Sequence, residues 1–333
     1  MSVICMALVV SIHLAWSNED GGVVWFVRQL TESGVSRIAV PFFFIVSGYF
    51  LSAHFGEQGW WYREIKKRWR TLVVPFCFWI CVSFVVILPL TVTADIIAKR
   101  PFGTNVCVTG GRWVTMFGLN ILSPPGCNGA LWFIRNLFFL VLTSGLIKFF
   151  LDRFCWLWIG GLCVAWITYL SLFGEGYSGV GFFYYGYSIA GLLFFSVGMH
   201  IGRRGFRTLS FSTAATLLVV VLLAFIGKGC LARRHAVLAS TLGAMCVPIL
   251  LYSTYSIVPD RRWPDFLTNS TFPVFLMHIV FIKYSDICLK WAHVGLPCRL
   301  VGAMMVAFFG PVLVACIMRK KWPRLACVAF GGR

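Results

Sequence analysis

"RIAVPFFFIVSGYFLS", residues Arg37–Ser52, carries no charge after its opening arginine. Apolar runs of this kind recur along the chain, and a soluble core of this size has no use for so many of them. A lipid bilayer does, and in lipid the backbone finds no outside hydrogen-bond partner, so the run must be helical. Pro41 falls in the first turn, where a missing N–H costs little. The polar residues leave two readings open. Arg37 is either an anchor that snorkels to the outer interface or part of a site. Ser47-Gly48 is either a small-residue contact between helices or, with Tyr49, part of a site.

The rest of the chain extends the first reading. It has 333 residues, 59% hydrophobic and 12% charged, where soluble chains are about a quarter charged. Leu209–Gly227 and Val237–Ser253 are also free of charge. Ten candidate spans follow: 2–16, 38–54, 71–90, 129–148, 155–173, 180–201, 208–227, 236–255, 270–290 and 299–318. The expected fold is an all-α membrane protein with about ten transmembrane helices. It forms one multi-pass domain over residues 1–333, with no soluble domain. The first span is short: fifteen residues of helix reach about 23 Å against about 30 Å of hydrocarbon. Either the bilayer thins there or the natural start lies upstream of Met1.

The net charge of +18 would point to nucleic acid on a soluble protein. Here the basic residues sit in short loops, which makes them topological signals and excludes a nucleic-acid partner. With the N-terminus inside, the cytoplasmic loops hold seventeen Lys and Arg and the opposite loops nine. Both termini are therefore expected to be cytoplasmic. No cleavable signal peptide is apparent. That topology puts Cys107, Cys127, Cys230 and Cys298 outside, where disulfides form, and Cys107–Cys127 is the candidate bridge. No CxxC pair occurs, so no metal site is expected.

Ionisable groups inside spans are costly and are functional candidates by default. His13 lies toward the outer end of the first span; imidazole suits proton abstraction from a hydroxyl near neutral pH. Trp132 and Arg135 belong to "GALWFIRNLFFL". The tryptophan fits an interfacial belt, and the arginine, one turn into its helix, is expected to face a wet cavity or a carboxylate. In "FPVFLMHIVFIKYSDICLK", Lys283, Asp286 and Lys290 share one face, which is either a snorkelled ion-pair set or a wall of a polar cavity. His278 lies about two turns deeper. On the cytoplasmic side, "YREIKKRWR" (Tyr62–Arg70) is either a positive-inside stop signal or, through Arg63, Lys66, Lys67, Arg68 and Arg70, a dock for donor phosphates.

These pieces, in this order, resemble the integral-membrane acyltransferase family three, the bacterial O-acyltransferases that modify surface glycans and related metabolites. The first-span histidine, "RIAVPFFFIVSGYFL", the basic run before "LVVPFCFWI", "GALWFIRNLFF" and "FPVFLMHIVF" carry the resemblance over nearly the whole chain. The resemblance implies His13 as the catalytic residue, and Arg37, Ser47, Gly48 and Tyr49 as parts of an active-site pore. One position departs: where such proteins carry Arg or Lys eleven residues before the histidine, this chain has Ser2.

The resemblance implies an O-acyltransferase of the bacterial cytoplasmic membrane. It would move an acyl group, most simply acetyl, from a cytosolic acyl-CoA to a hydroxyl of an envelope carbohydrate. Acyl-CoA is the donor and no metal is involved. Trp132, Arg135, His278 and Asp286 join the substrate-binding candidates. The partners are the lipid bilayer and the carbohydrate acceptor. The rival class is a transporter or flippase, which the spans and midplane charges suit equally. No inverted repeat or paired broken helices favour it. A membrane sensor is the third class.

Overall fold

A computed structural model describes residues 2–14, 35–97, 113–173, 181–205, 210–216, 219 and 264–332. Among these residues all regular structure is helical, with no strand. Five helices are long and apolar enough to cross a membrane: 60–90, 144–173, 182–204, 271–291 and 296–321. They make this a multi-pass membrane protein. They match the expected spans 71–90, 155–173, 180–201, 270–290 and 299–318. Of the span expected at 208–227 the structure describes 210–216 and 219, and the span expected at 236–255 lies outside the described residues.

The first two spans are shorter than sequence suggests. Helix α1 is Ser2–Ile12, with 11 residues, or about 17 Å of rise. Helix α2 is Ala39–Ser52, entered through a 3-10 turn at Val35–Ile38. Helix α3 (Trp60–Arg68) continues through a π-helical turn, Trp69–Val73, into α4 (Val74–Ile97). A single turn at Trp113–Met116 is α5. The expected span 129–148 is not one helix. Helix α6, Trp132–Leu142, stops at Thr143, and α7, Ser144–Phe173, begins immediately after. The first part of α7 carries Lys148 and Asp152, paired at 2.7 Å across one turn. The helix kinks at Phe154, which leaves helical geometry.

Helix α8 is Ile189–Arg204 and ends at Gly205, whose φ of 77° suits only glycine comfortably. Helices α9 (Asp265–Thr268), α10 (Thr271–Trp291), α11 (Leu296–Lys321) and α12 (Pro323–Phe330) complete the described chain.

The chain divides into two compact units. The first comprises 1–64, 142–179 and 189–268. Its main helix pair is α2 against α8, and the pairing rests on glycine. A side chain at Gly48 would run into the Phe195 carbonyl and the Met199 amide; one at Gly198 would run into the Ile45 carbonyl. Gly202 faces Tyr49 and Ser52. Gly198 and Gly202 are four residues apart, the spacing that lets membrane helices touch backbone to backbone. The small-residue reading of Gly48 is the one the structure shows.

The second unit comprises 65–141, 180–188 and 269–333. Here α10 packs along α11, and α12 folds back on α4. Trp79 donates to the Ala329 carbonyl at 2.8 Å and stacks on Phe330. Tyr284 on α10 donates to the Val86 carbonyl of α4. Asn128, fully buried, donates to Ser83 Oγ at 3.2 Å and to the Leu276 carbonyl at 2.9 Å, tying the turn before α6 to α4 and α10.

Candidate functional site

In the first unit, α1 and the 3-10 turn before α2 meet at one end. Ser11 Oγ and Ser36 Oγ share a buried hydrogen bond of 2.7 Å. His13 is two residues past Ser11, and Arg37 is one past Ser36. The contact therefore brings the backbone positions of both to the same end of the helix pair. His13 does not lie within a helix as expected: α1 closes at Ile12, and His13 occupies an exposed turn, its amide on the Val10 carbonyl at 3.1 Å. The side chain of Arg37 lies outside the described residues.

Ser47 and Tyr49 lie in the second half of α2, half-buried. At 1.5 Å per residue, Tyr49 is about 18 Å along the helix from Arg37. The Tyr49 ring packs edge-on against Phe50, and its carbonyl accepts the Ser52 hydroxyl at 2.7 Å.

Beyond α2, His54 bonds Glu57 through Nδ1 at 2.9 Å, and Arg63 Nη2 pairs with the other Glu57 oxygen at 2.6 Å. His54 Nε2 lies 3.7 Å from the buried Glu64. The basic run is helical. Arg63, Lys66 and Lys67 are exposed on α3, and Arg70 is exposed in the π-helical turn that follows, with Arg68 half-exposed. Arg63, Lys66, Lys67 and Arg70 are spaced i, i+3, i+4, i+7 and so form one stripe. The stripe is the arrangement that presents several cations to one polyanion.

In the second unit, Arg135 meets backbone carbonyls and, among the described residues, no carboxylate. Its guanidinium is buried and donates to four backbone carbonyls: Gly118 (2.6 Å), Asn120 (2.9 Å), Ser123 (2.9 Å) and Tyr185 (3.2 Å). Segment 117–123 is irregular and 182–186 is a π-helical turn, and a planar fork of five N–H groups satisfies carbonyls of both where water cannot. Trp132, half-buried, packs against Tyr184 and Tyr185 with ring centroids 6.0 and 5.7 Å away.

His278 is fully buried on α10. Its Nδ1 lies 2.8 Å from the Phe275 carbonyl and 3.1 Å from that of Val274. Carbonyls only accept, so Nδ1 carries a hydrogen and donates it to them. Asp286 resolves into the ion-pair reading. Its Oδ2 pairs with Lys290 at 2.6 Å and its Oδ1 with Arg299 of α11 at 3.1 Å, while Lys283 on the same helix is exposed. Cys127 is a buried free thiol, and Cys107, its partner in the expected bridge, lies outside the described residues. Burial pushes the Cys127 thiol up to about 11. Among the described residues no His, Cys, Asp or Glu group is arranged to hold a metal.

Sequence reasoning passed over three features. The amide of Asn136, beside Arg135, is buried with neither its nitrogen nor its oxygen hydrogen-bonded. Asn128 acts as a three-helix tie. A cluster on α7 and α8, Asp152, Cys155, His200, Arg203 and Arg204, lines a cavity. Its residues stand in two separate runs far apart in the chain, so no single motif announces it.

The sequence profile of a family described as an acyltransferase domain matches residues 3–317, and the chain belongs to that family, acyltransferase family three. The chain is also similar to the succinoglycan biosynthesis protein ExoH of Rhizobium meliloti (strain 1021), at 25% identity over 160 residues. That match takes in 46% of this chain and 42% of the relative, so it spans less than half the relative's length. No solved structure matches.

Proposed function

We propose that this chain transfers an acyl group, most simply acetyl, from a cytosolic acyl-CoA to a hydroxyl of an envelope carbohydrate. The family supplies the reaction class. The similarity to a succinoglycan biosynthesis protein supports a carbohydrate acceptor. Ten spans with both termini in the cytoplasm, and residence in the bacterial cytoplasmic membrane as one domain over 1–333, complete the reading.

The observation that carries it is the Ser11–Ser36 contact, which sets His13 and Arg37 at one end of a helix pair whose other end leads into the basic helix α3. In this reading the acceptor enters at the His13 end and the donor at the α3 end. The stripe of Arg63, Lys66, Lys67 and Arg70, helped by Arg68, holds the CoA phosphates. The thioester arm passes Ser47 and Tyr49 along α2.

His13 takes the proton from the acceptor hydroxyl, and the oxygen attacks the thioester carbonyl. The carbonyl becomes an oxyanion, which Arg37 or the Tyr49 hydroxyl stabilises by donation. The C–S bond then breaks and the proton passes from His13 to the departing CoA thiolate. An alternative order has the imidazole attack first and carry the acyl group. Arg135 is a poor oxyanion donor, because four of its N–H bonds are committed to carbonyls. Trp132, with Tyr184 and Tyr185, offers an aromatic surface suited to a sugar face, and His278 and Asp286 remain binding candidates of the same unit.

The test uses sealed membrane vesicles with labelled acetyl-CoA supplied to the cytosolic face. Label on the glycan, lost in His13→Ala, is the expected result. General-base catalysis is worth about 10²–10⁴-fold, so His13→Ala at full rate refutes the assignment. Movement of unmodified glycan without label transfer would show a transporter instead.

A further inference from the structure

One cavity in the first unit is used by none of these steps. It has a volume of about 310 Å³ and is lined by Leu151, Asp152 and Cys155 of α7 and by His200, Arg203 and Arg204 of α8. That is the lower end of the size range of small-molecule sites. Its charges do not cancel. Asp152 is the single acid, and both of its oxygens are taken, Oδ2 by Lys148 at 2.7 Å and Oδ1 by Arg203. Arg204 has no ion-pair or hydrogen-bond partner among the described residues. Two further walls are polar and half-buried: Cys155 Sγ lies 3.1 Å from His200 Nδ1, and the edge of Trp156 packs on the same imidazole, centroids 5.6 Å apart.

The backbone adds to this field. The kink at Phe154 (φ −139°, ψ 40°) makes Cys155 the first residue of the next helical segment. The N-terminal end of that segment carries partial positive charge. Basic residues at the end of α8 are ordinary complements to a helix C-terminus. That role does not account for a cavity between them and α7, nor for an excess cation at its rim.

We propose that this cavity is a phosphate-binding site, in which Arg203 and Arg204 hold a phosphomonoester or diphosphate group against the Cys155–His200 pair. Arginine is the side chain fitted to phosphate in this way, through paired N–H donors. The same group could be carried by a soluble phosphorylated metabolite or by a phospholipid headgroup, and the cavity chemistry is shared by both. The site is separate from the α3 stripe and does not depend on the acyl-transfer reading.

Cys155 reports occupancy directly. The full-length protein, purified in a non-ionic detergent, is alkylated with iodoacetamide, and the Cys155 peptide is quantified by mass spectrometry. The exposed thiol Cys298 serves as the reference in the same sample. Pyrophosphate is compared with sodium chloride at the same ionic strength, which equalises screening. At about ten times its dissociation constant a ligand leaves about a tenth of the sites open, so Cys155 should react about tenfold more slowly while Cys298 is unchanged. A second arm compares nanodiscs of zwitterionic lipid with nanodiscs containing phosphatidate. Protection in the first arm assigns a soluble phosphate, and protection in the second alone assigns a headgroup. Arg204→Gln should abolish protection and Arg204→Lys should retain part of it. The proposal is overturned if neither arm protects Cys155 beyond chloride, or if Arg203→Gln and Arg204→Gln proteins are protected as well as the wild type.

Discussion

Adding one methyl group at Gly48 should unseat the α2–α8 pair. A Cβ built there would overlap the Phe195 carbonyl oxygen and come within 3.0 Å of the Met199 amide and 3.1 Å of the Phe195 carbonyl carbon. All three are backbone atoms of α8, so no side-chain rotation relieves the contact; the helices must separate. Overpacking of this sort costs about 1–3 kcal/mol, and with backbone on both sides the upper end applies. Gly198→Ala meets the Ile45 backbone in the same way. Gly160→Ala is the control: it lies in α7 with nothing within 4 Å of its added Cβ. There the substitution removes a helical glycine and should stabilise by about 0.5–1 kcal/mol. The two alanines should therefore differ by about 3.5–4 kcal/mol, more than the thirtyfold change in folded-to-unfolded ratio that about 2 kcal/mol represents. Thermal unfolding in detergent, followed by size-exclusion fluorescence, reads the difference. A Gly48→Ala protein as stable as Gly160→Ala would refute the seam.

Four further outcomes follow from the second unit. Arg135→Lys leaves at least one of the carbonyls of Gly118, Asn120, Ser123 and Tyr185 without its donor, because an ammonium has three N–H bonds and no planar fork. The variant should lose yield and expose segment 117–123 to protease, whereas a purely substrate-binding arginine would change KM alone. Asp286→Ala strands Arg299, whose side chain is 18% exposed, and should destabilise by about 1–3 kcal/mol, with Asp286→Ala/Arg299→Met recovering most of it. Cys127 should resist alkylation at pH 8 in the native protein and react rapidly once unfolded, since burial holds its thiol near 11 against an ordinary 9.0. The sign for stability is fixed: below pH 9 the contribution is complete, and it is lost as pH rises toward 11, because the unfolded thiol ionises first. His278→Asn keeps a donor in the place of Nδ1 and removes Nε2. Stability should survive, and any loss of acyl transfer in membranes would then report on Nε2.

The apolar runs made the helical membrane architecture legible, because lipid leaves the backbone no alternative. Helix ends were less so. Span 129–148 looked continuous, yet the helix breaks at Thr143, and the charges of Lys148 and Asp152 just beyond it are satisfied with each other and with Arg203, a partner 51 residues downstream of Asp152. Tertiary partners of this kind leave no local trace. The candidate site was legible as an ordered set of motifs, from His13 through Arg37 and Ser47–Tyr49 to the basic run. What could not be read was which of two plausible jobs each residue has. Gly48 proved to be a helix contact because α8 supplies Gly198 and Gly202 opposite it, and the Asp286 cluster proved to be an ion-pair set because α11 supplies Arg299.

The partners of Arg135 sharpen the general rule that an intramembrane ion marks function. A charge inside a span must be satisfied, and whatever satisfies it identifies its work. Four carbonyls from an irregular segment and a π-helical turn consume this guanidinium, so its cost is offset by backbone that would otherwise be stranded in lipid. Arg63, Lys66, Lys67 and Arg70 differ from it in lying on one exposed stripe, with Arg63 paired to Glu57. Arg204 is in excess at its cavity, where Asp152 is already taken. Positive charge that the protein does not neutralise must be met by solvent ions or by a ligand. The buried cation is therefore the structural one here, and Arg204, at the end of α8, is a cation with capacity left to bind.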